Sequence, residues 1–187
     1  VMSAAEKAAL RETIRERKIT IIPGAPPLWL AFSHLIDVKS ADADVAPADS
    51  FANVRLALTG AAKMPEEAMR RLHEHFGLTL LEGYGLTEAS PVVTSSAGME
   101  VRIGSVGKVL DGIQVRLIDE EGNDALQGDA GEIWVKGPNV FQGYLNEPEA
   151  TARVLTPDGW LRTGDIAVVD DEGYLYLVDR AKDLIIV

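Results

Sequence analysis

The most chemically suggestive part of this 187-residue sequence is the segment Glu-Gly-Tyr-Gly-Leu-Thr-Glu at residues 82–88. It follows an apolar run that reads as a strand, so it should lie at a carboxyl end of a strand, where open α/β sheets bind ligands. The glycines let the backbone approach a flat ligand, and the ring of Tyr84 offers a stacking face. The Thr87 hydroxyl and the Glu88 carboxylate suit a phosphate and its magnesium ion. From spacing alone, an ordinary strand-to-helix turn explains the segment equally well.

A second candidate set lies in residues 158–165 and 179–183, which are rich in aspartate and carry basic residues. Asp165 follows a Thr-Gly turn, and a carboxylate there can accept hydrogen bonds from both hydroxyls of a ribose. Arg180 can donate two hydrogen bonds to ribose or phosphate oxygens. Taken alone, the set is more typical of a Gly-Asp hairpin beside solvated charges.

The elements around the first candidate segment predict a βαβ unit. Apolar, β-branched runs at residues 54–59 and 78–81 read as strands. Between them, Pro65 followed by two glutamates opens a helix that Gly77 closes. This spacing favours an α/β layer with a parallel sheet. A Ser3 and Glu6 capping-box pair predicts a further helix at the start of the chain.

From about residue 102 the pattern changes to short alternating runs separated by Gly and Asp turn signals. Such a pattern predicts a small antiparallel β subdomain, resembling a barrel. We therefore expect an α/β subdomain at 1–98, a β subdomain at 99–179 and a terminal segment at 180–187. The block from Gly131-Glu132 to Gly143-Tyr144 reads mostly as scaffold, because it alternates strand and turn signals.

Composition excludes several function classes. The chain has 18 Lys and Arg against 29 Asp and Glu, a net charge of −11, which argues against a nucleic-acid partner. It contains no cysteine, so disulfides, thiolate metal sites and a thiol nucleophile are excluded. No apolar run reaches the roughly 18–20 residues of a membrane span. We expect a cytoplasmic protein without a transmembrane segment.

At four ordered signatures the sequence resembles the adenylate-forming superfamily, which includes acyl-CoA synthetases, luciferases and peptide-synthetase adenylation domains. The resemblance covers most of the chain, and the last of the signatures looks most like fatty-acyl-CoA ligases. They are Gly60-Ala61-Ala62, residues 84–88, the block from Gly131 to Tyr144, and residues 160–165 followed by Asp179-Arg180-x-Lys182.

The resemblance implies an enzyme that activates a carboxylic acid with ATP and Mg²⁺ and passes the acyl group from AMP to coenzyme A. It implies that Tyr84 stacks on adenine, that Asp165 binds the ribose hydroxyls and that Arg180 reaches ribose or phosphate. The set implied for the other face of adenine is Gly60, Ala61 and Ala62. The set implied for the reacting end is Thr87 on phosphate, Glu88 on magnesium and Gly85 in the acyl pocket.

The resemblance also implies what surrounds this chain in the parent protein. Lys182 matches the hinge about which a carboxy-terminal domain rotates between two half-reactions. The phosphate loop of the family would precede residue 1 and the carboxy-terminal domain would follow residue 187, so we expect the chain alone to be inactive. Lys63 stands where many relatives carry proline, which leaves the local loop shape and the acyl preference open.

Three functions stay open on the sequence. The leading one is an ATP-dependent fatty-acyl-CoA ligase, and long-chain substrates leave peripheral contact with a membrane open. The second is an adenylation domain that loads a carrier protein, which a carrier signature in the parent gene would favour. The third is a noncatalytic nucleotide-binding module. Acyl chain length and oligomeric state do not follow from the sequence.

Overall fold

The computed structural model describes residues 3–34, 47–60 and 62–180, which fall into two compact units, Val1–Glu82 and Gly83–Val187. Helices and short parallel strands make up the first unit. In chain order these elements are α1 (Ala4–Glu16), β1 (Ile21–Pro23), α2 (Pro26–Ser33), β2 (Leu56–Thr59), α3 (Glu66–Phe76) and the start of β3 (Leu80–Gly85).

The first unit contains the predicted βαβ arrangement. Strands β1 and β2 pair in parallel, as do β2 and β3, where Thr59 lies opposite Glu82. Helix α3 connects β2 to β3 and ends at Gly77, whose φ of 66° lies in the left-handed region. The capping box at Ser3 and Glu6 is present at the start of α1. The local signals therefore predicted both helix ends correctly, because each depends on one or two residues.

An apolar core holds the first unit together. Trp29, Phe32, Phe51 and Phe76 form a chain of aromatic contacts with ring centroids 5.1–6.0 Å apart. The indole N–H of the fully buried Trp29 donates to the Leu58 carbonyl at 3.1 Å. This bond satisfies a polar group that would be costly to bury alone and joins α2 to β2.

The second unit is mainly antiparallel. The end of β3 pairs with β4, and β4 pairs with β5. A separate antiparallel sheet has the strand order β6-β7-β8-β9. The bounds are β4 (Val92–Ser95), β5 (Lys108–Val109), β6 (Gln114–Ile118), β7 (Gly131–Lys136), α4 (Pro148–Val154), β8 (Leu161–Val169) and β9 (Leu175–Arg180).

These elements confirm the predicted fold class, an α/β layer followed by an antiparallel β region. Within residues 83–180 the strands β6 to β9 form an open sheet, and they do not close into a barrel. None of the helices in the described ranges is long and apolar enough to cross a bilayer. The predicted domain boundary after residue 98 and the predicted terminal segment at 180–187 stay predictions.

Two strands are longer than the sequence predicted. Strand β3 continues through Tyr84 to Gly85, and β8 already begins at Leu161, so both candidate segments lie partly inside strands rather than in turns. Glycines at 83, 85 and 164 suggested turns, but the backbone N–H groups of Tyr84 and Gly164 donate to side chains of the neighbouring strands, which hold both segments in the sheets. The acidic, alanine-rich segment 37–50, which the sequence predicts to be a surface loop, lies largely outside the described residues.

Candidate functional site

The structure brings the two central candidate side chains of the second unit into direct contact. The hydroxyl of Tyr84 on β3 donates a hydrogen bond to Oδ2 of Asp165 on β8 at 2.7 Å. The two residues are 81 positions apart in the sequence. Tyr84 is 7% exposed, so its ring is held in the fold rather than swinging in solvent. One aromatic ring and one carboxylate therefore lie together at a common position.

Strand β4 fixes the backbone of Tyr84. The backbone N–H of Tyr84 donates to the hydroxyl of Thr94 at 3.1 Å, and that hydroxyl donates to the Val106 carbonyl at 2.7 Å. A side chain at Gly83 would lie 2.8 Å from the Thr94 carbonyl oxygen, and one at Gly85 would overlap the backbone of Pro91. Both glycines are thus needed for close passage of the chain's own backbone, a reason that the sequence pattern did not reveal.

Asp165 lies in β8, where a side-chain hydroxyl supports its backbone. Its backbone N–H donates to the hydroxyl of Thr163 at 3.1 Å, and that hydroxyl donates to the Ile133 carbonyl at 2.8 Å. In the antiparallel ladder of β8 and β9, Asp165 lies directly opposite Arg180. The fold therefore places the backbones of two candidate nucleotide-binding residues side by side, although they are 15 positions apart in the sequence.

Thr87 and Glu88 begin a short 3-10 turn, Thr87–Ala89, just after β3. The phenol of Tyr144 donates to Oε1 of Glu88 at 2.6 Å, and the backbone N–H of Phe141 donates to the Glu88 carbonyl at 2.8 Å. The hydrogen bond to Glu88 raises the pKa of the Tyr144 phenol, because the neutral phenol is the donor, and partial burial acts in the same direction.

A second contact joins the same two segments. The side-chain amide of Asn139 donates to the carbonyls of Ala89 and Val92 at 2.7 and 3.2 Å. Residues 137–144, which the sequence indicated to be scaffold, therefore position the Glu88 turn through Asn139 and Tyr144. Sequence reasoning missed this role, because pairing between segments about 50 residues apart leaves no local pattern.

The oxygen donors at Thr87 and Glu88 fit a magnesium ion bound mainly through substrate. Within residues 3–34, 47–60 and 62–180, no cluster of three or more acidic or histidine side chains could hold a metal by itself. Mg²⁺ usually keeps several waters and is held by one or two carboxylates together with substrate phosphates. One half-buried carboxylate beside an exposed hydroxyl matches that pattern.

Some of the remaining candidates lie in the first unit, and others lie outside the described residues. Gly60 and Ala62 lie in the first unit, in the loop between β2 and α3. This loop is anchored at Met64, whose backbone N–H donates to the buried Glu82 carboxylate. Burial raises the pKa of Glu82, and the hydrogen bond from Met64 opposes that rise. Ala61 and Lys182 lie outside the described residues.

Comparison with known proteins gives consistent matches. The family model described as AMP-binding enzyme matches residues 1–145. A feruloyl-CoA synthase from Amycolatopsis sp is 38% identical over 98% of this chain and 36% of the relative. A long-chain-fatty-acid–CoA ligase from Yersinia pestis is 45% identical over 73% of this chain and 24% of the relative.

Among solved structures, ATP-bound MatB from Rhodopseudomonas palustris superposes with a TM-score of 0.83 at 31% identity. The match covers 96% of this chain and 34% of MatB. The chain thus spans about a third of the length of several relatives that it matches. The fold agrees with that of MatB over nearly the whole chain.

Proposed function

Since this chain belongs to the family of AMP-binding enzymes, we propose that it supplies adenosine-binding and metal-binding residues of an ATP-dependent acid–CoA ligase. In the first half-reaction, a carboxylate oxygen attacks the α-phosphorus of ATP and pyrophosphate leaves. In the second, the thiol of coenzyme A attacks the acyl carbon and AMP leaves. The observation that carries the proposal is the 2.7 Å hydrogen bond between Tyr84 and Asp165.

Tyr84 and Asp165 would hold the nucleoside. The hydroxyl of Tyr84 donates to Oδ2 of Asp165. A carboxylate can accept several hydrogen bonds, and we propose that Asp165 also accepts from the ribose 2′ and 3′ hydroxyls. The Tyr84 ring would stack on adenine. Arg180, opposite Asp165 in the ladder, would donate to ribose or phosphate oxygens.

Thr87 and Glu88 would act at the triphosphate. The Thr87 hydroxyl would donate to a phosphate oxygen and the Glu88 carboxylate would hold Mg²⁺. When bound, Mg²⁺ supplies positive charge that offsets the negative charge of the phosphates. Tyr144 would orient Glu88, because its hydroxyl already donates to Oε1 and leaves Oε2 for the ion.

This chemistry depends on alignment and charge neutralisation more than on a protein nucleophile. The attacking carboxylate and the phosphates are both anionic, so fixed polar contacts and exclusion of water lower the barrier. The absence of cysteine from the sequence is compatible with such a mechanism, because the acyl group passes directly to the thiol of coenzyme A.

A fatty acid is the acyl substrate that we propose. Residues 158–166 and 179–183 have the form seen in fatty-acyl-CoA ligases, and a relative named long-chain-fatty-acid–CoA ligase is 45% identical. Other relatives are named for feruloyl and 4-coumarate substrates, so an aromatic acid is the competing choice. Gly85, exposed at the end of β3, would line the acyl pocket.

Pyrophosphate exchange by the full-length protein, across saturated acids of graded length and ferulic and 4-coumaric acids, tests this proposal. We expect ATP-dependent exchange with a maximum among the fatty acids, followed by thioester formation when coenzyme A is added. A maximum on the aromatic acids would contradict the fatty-acid assignment alone. Lack of exchange with every acid would contradict the ligase proposal.

A further inference from the structure

Glu132 on β7 binds the backbone immediately before Asp165. One carboxylate oxygen, Oε1, accepts a hydrogen bond from the backbone N–H of Gly164 at 2.9 Å. The other, Oε2, accepts one from the indole N–H of Trp134 at 3.0 Å. Glu132 is half-buried, so these bonds are only partly screened by solvent. The sequence indicated that this residue belongs to the scaffold, and the proposed chemistry does not use it.

The backbone before Asp165 needs such support because β8 bulges there. Between the pairs Glu132↔Ile166 and Trp134↔Arg162, β8 has three residues where β7 has one. Gly164, in the middle of the three, has a φ of 73° in the left-handed region. A bulge removes regular ladder bonds and redirects side chains. Here the side chains of Glu132 and Thr163 supply the hydrogen bonds that the ladder lacks.

We propose that Glu132 is a positioning residue that sets the direction of the Asp165 carboxylate toward the ribose. Its Oε1 holds the N–H of Gly164 in a fixed place relative to β7, so Asp165 leaves the bulge in one direction. The hydrogen bond from Tyr84 then fixes the other end of the Asp165 side chain. This inference rests on the proposed ribose-binding role of Asp165.

The difference in affinity between ATP and its deoxyribose analogues provides a readout that a merely structural role of Glu132 would not change. Calorimetry on the full-length protein with Mg²⁺ and no acid substrate gives the dissociation constants of ATP, 2′-deoxy-ATP and 3′-deoxy-ATP. Each lost bond to the Asp165 carboxylate should weaken wild-type binding about tenfold or more. In Asp165→Ala the three affinities should be nearly equal.

The discrimination ratio is the dissociation constant of a deoxy analogue divided by that of ATP. In Glu132→Ala this ratio should fall from the wild-type value toward that of Asp165→Ala. Glu132→Gln keeps only one acceptor oxygen for two donors, so its ratio should be intermediate. Trp134→Phe is the matched control: it removes the other donor to Glu132 but keeps the Gly164 bond and a ring beneath Arg162, whose guanidinium lies 4.7 Å from the Trp134 ring centroid. It should keep the wild-type ratio.

The outcomes separate this inference from the proposed function. If the wild type discriminates and Asp165→Ala does not, yet Glu132→Ala keeps the wild-type ratio, the positioning role of Glu132 is wrong and the ribose role stands. If the wild type does not discriminate, the ribose role of Asp165 fails, and the inference fails with it. Should Glu132→Ala not fold, Glu132→Gln decides: an unchanged ratio overturns the inference and an intermediate ratio supports it.

Discussion

At the scale of single residues, the candidate site consists of carboxylates whose hydrogen bonds leave them little freedom. Asp165 accepts from Tyr84, and its own N–H donates to Thr163. Glu88 accepts from Tyr144. Groups that are already oriented lose less entropy when a ligand binds. Because these contacts exist without a ligand, they favour affinity.

Replacement of Asp165 by alanine tests the ribose role energetically. In the full-length protein, Asp165→Ala removes an acceptor for two hydroxyls and should weaken ATP binding by about 1.5–3 kcal/mol. Calorimetric titration with ATP and Mg²⁺ measures the change. Asp129→Ala, at an exposed carboxylate on a turn of the same unit, is the control and should leave the affinity unchanged. Equal affinities in wild type and Asp165→Ala would contradict the ribose role.

The contact between Tyr144 and Glu88 predicts a change in a phenol pKa. The pKa of Tyr144 is raised because its hydrogen bond to a carboxylate stabilises the neutral, donating form. Glu88→Gln removes the negative charge, so the pKa of Tyr144 should fall toward its ordinary value. A pH titration of ring-labelled tyrosine followed by NMR measures it.

Glu149→Gln, which removes an exposed carboxylate on α4, serves as the control for this titration. It should leave the Tyr144 midpoint unchanged. An unchanged midpoint in Glu88→Gln as well would show that the phenol does not donate to Glu88 in solution.

At the scale of elements, the signals that predicted the structure were local. Helix α3 was bounded correctly by Pro65 and Gly77, and the alternating runs of β6 and β7 were found because side chains alternate between faces. Helix α4 was missed, because it has no buried residue and hence no apolar periodicity. The shared position of Tyr84 and Asp165 could be proposed only by resemblance, and the contact of Glu88 with Tyr144 could not be proposed at all. Contacts between residues distant in sequence leave no local pattern.

Two glycines allow the stability cost of a left-handed backbone conformation to be distinguished from the stability cost of overpacking. Gly107 and Gly112 have nearly equal φ values of 81° and 82°. A Cβ at Gly107 would overlap the backbone of Ser95 on β4, whereas one at Gly112 would meet nothing within 4 Å. Gly112→Ala should destabilise the fold by about 1–2 kcal/mol through conformation alone. Gly107→Ala should cost about 1–3 kcal/mol more because of overpacking.

Urea unfolding of the two variants of the full-length protein, followed by tryptophan fluorescence, measures this difference. Gly112→Ala is the matched control, since it shares the conformation without the close approach. Equal losses of stability in the two variants would mean that β4 does not pass so close to Gly107.

At the scale of the whole molecule, this chain spans about a third of the length of several relatives. The proposed reaction therefore belongs to the full-length protein. By resemblance, Lys182 lies at a hinge that a second domain uses between adenylation and thioester formation. We propose that rotation about this hinge would affect the second half-reaction more than the first, because adenylation would precede it.

The hinge role of Lys182 predicts an unequal loss of the two half-reactions. Lys182→Pro fixes φ and removes a backbone donor, so it should impair thioester formation more than pyrophosphate exchange. Lys182→Ala keeps both the N–H and the backbone freedom, and is the matched control for the loss of the side chain. Equal losses of both half-reactions in Lys182→Pro would contradict the hinge role.

The central claim is that Tyr84 and Asp165 bind the same adenosine, and a crystal structure of the full-length protein with AMP tests it most directly. We expect the adenine ring to stack on Tyr84 and both ribose hydroxyls to lie about 2.5–3.0 Å from the Asp165 carboxylate. An AMP molecule bound with its ribose away from Asp165, or with its base away from Tyr84, would contradict the claim.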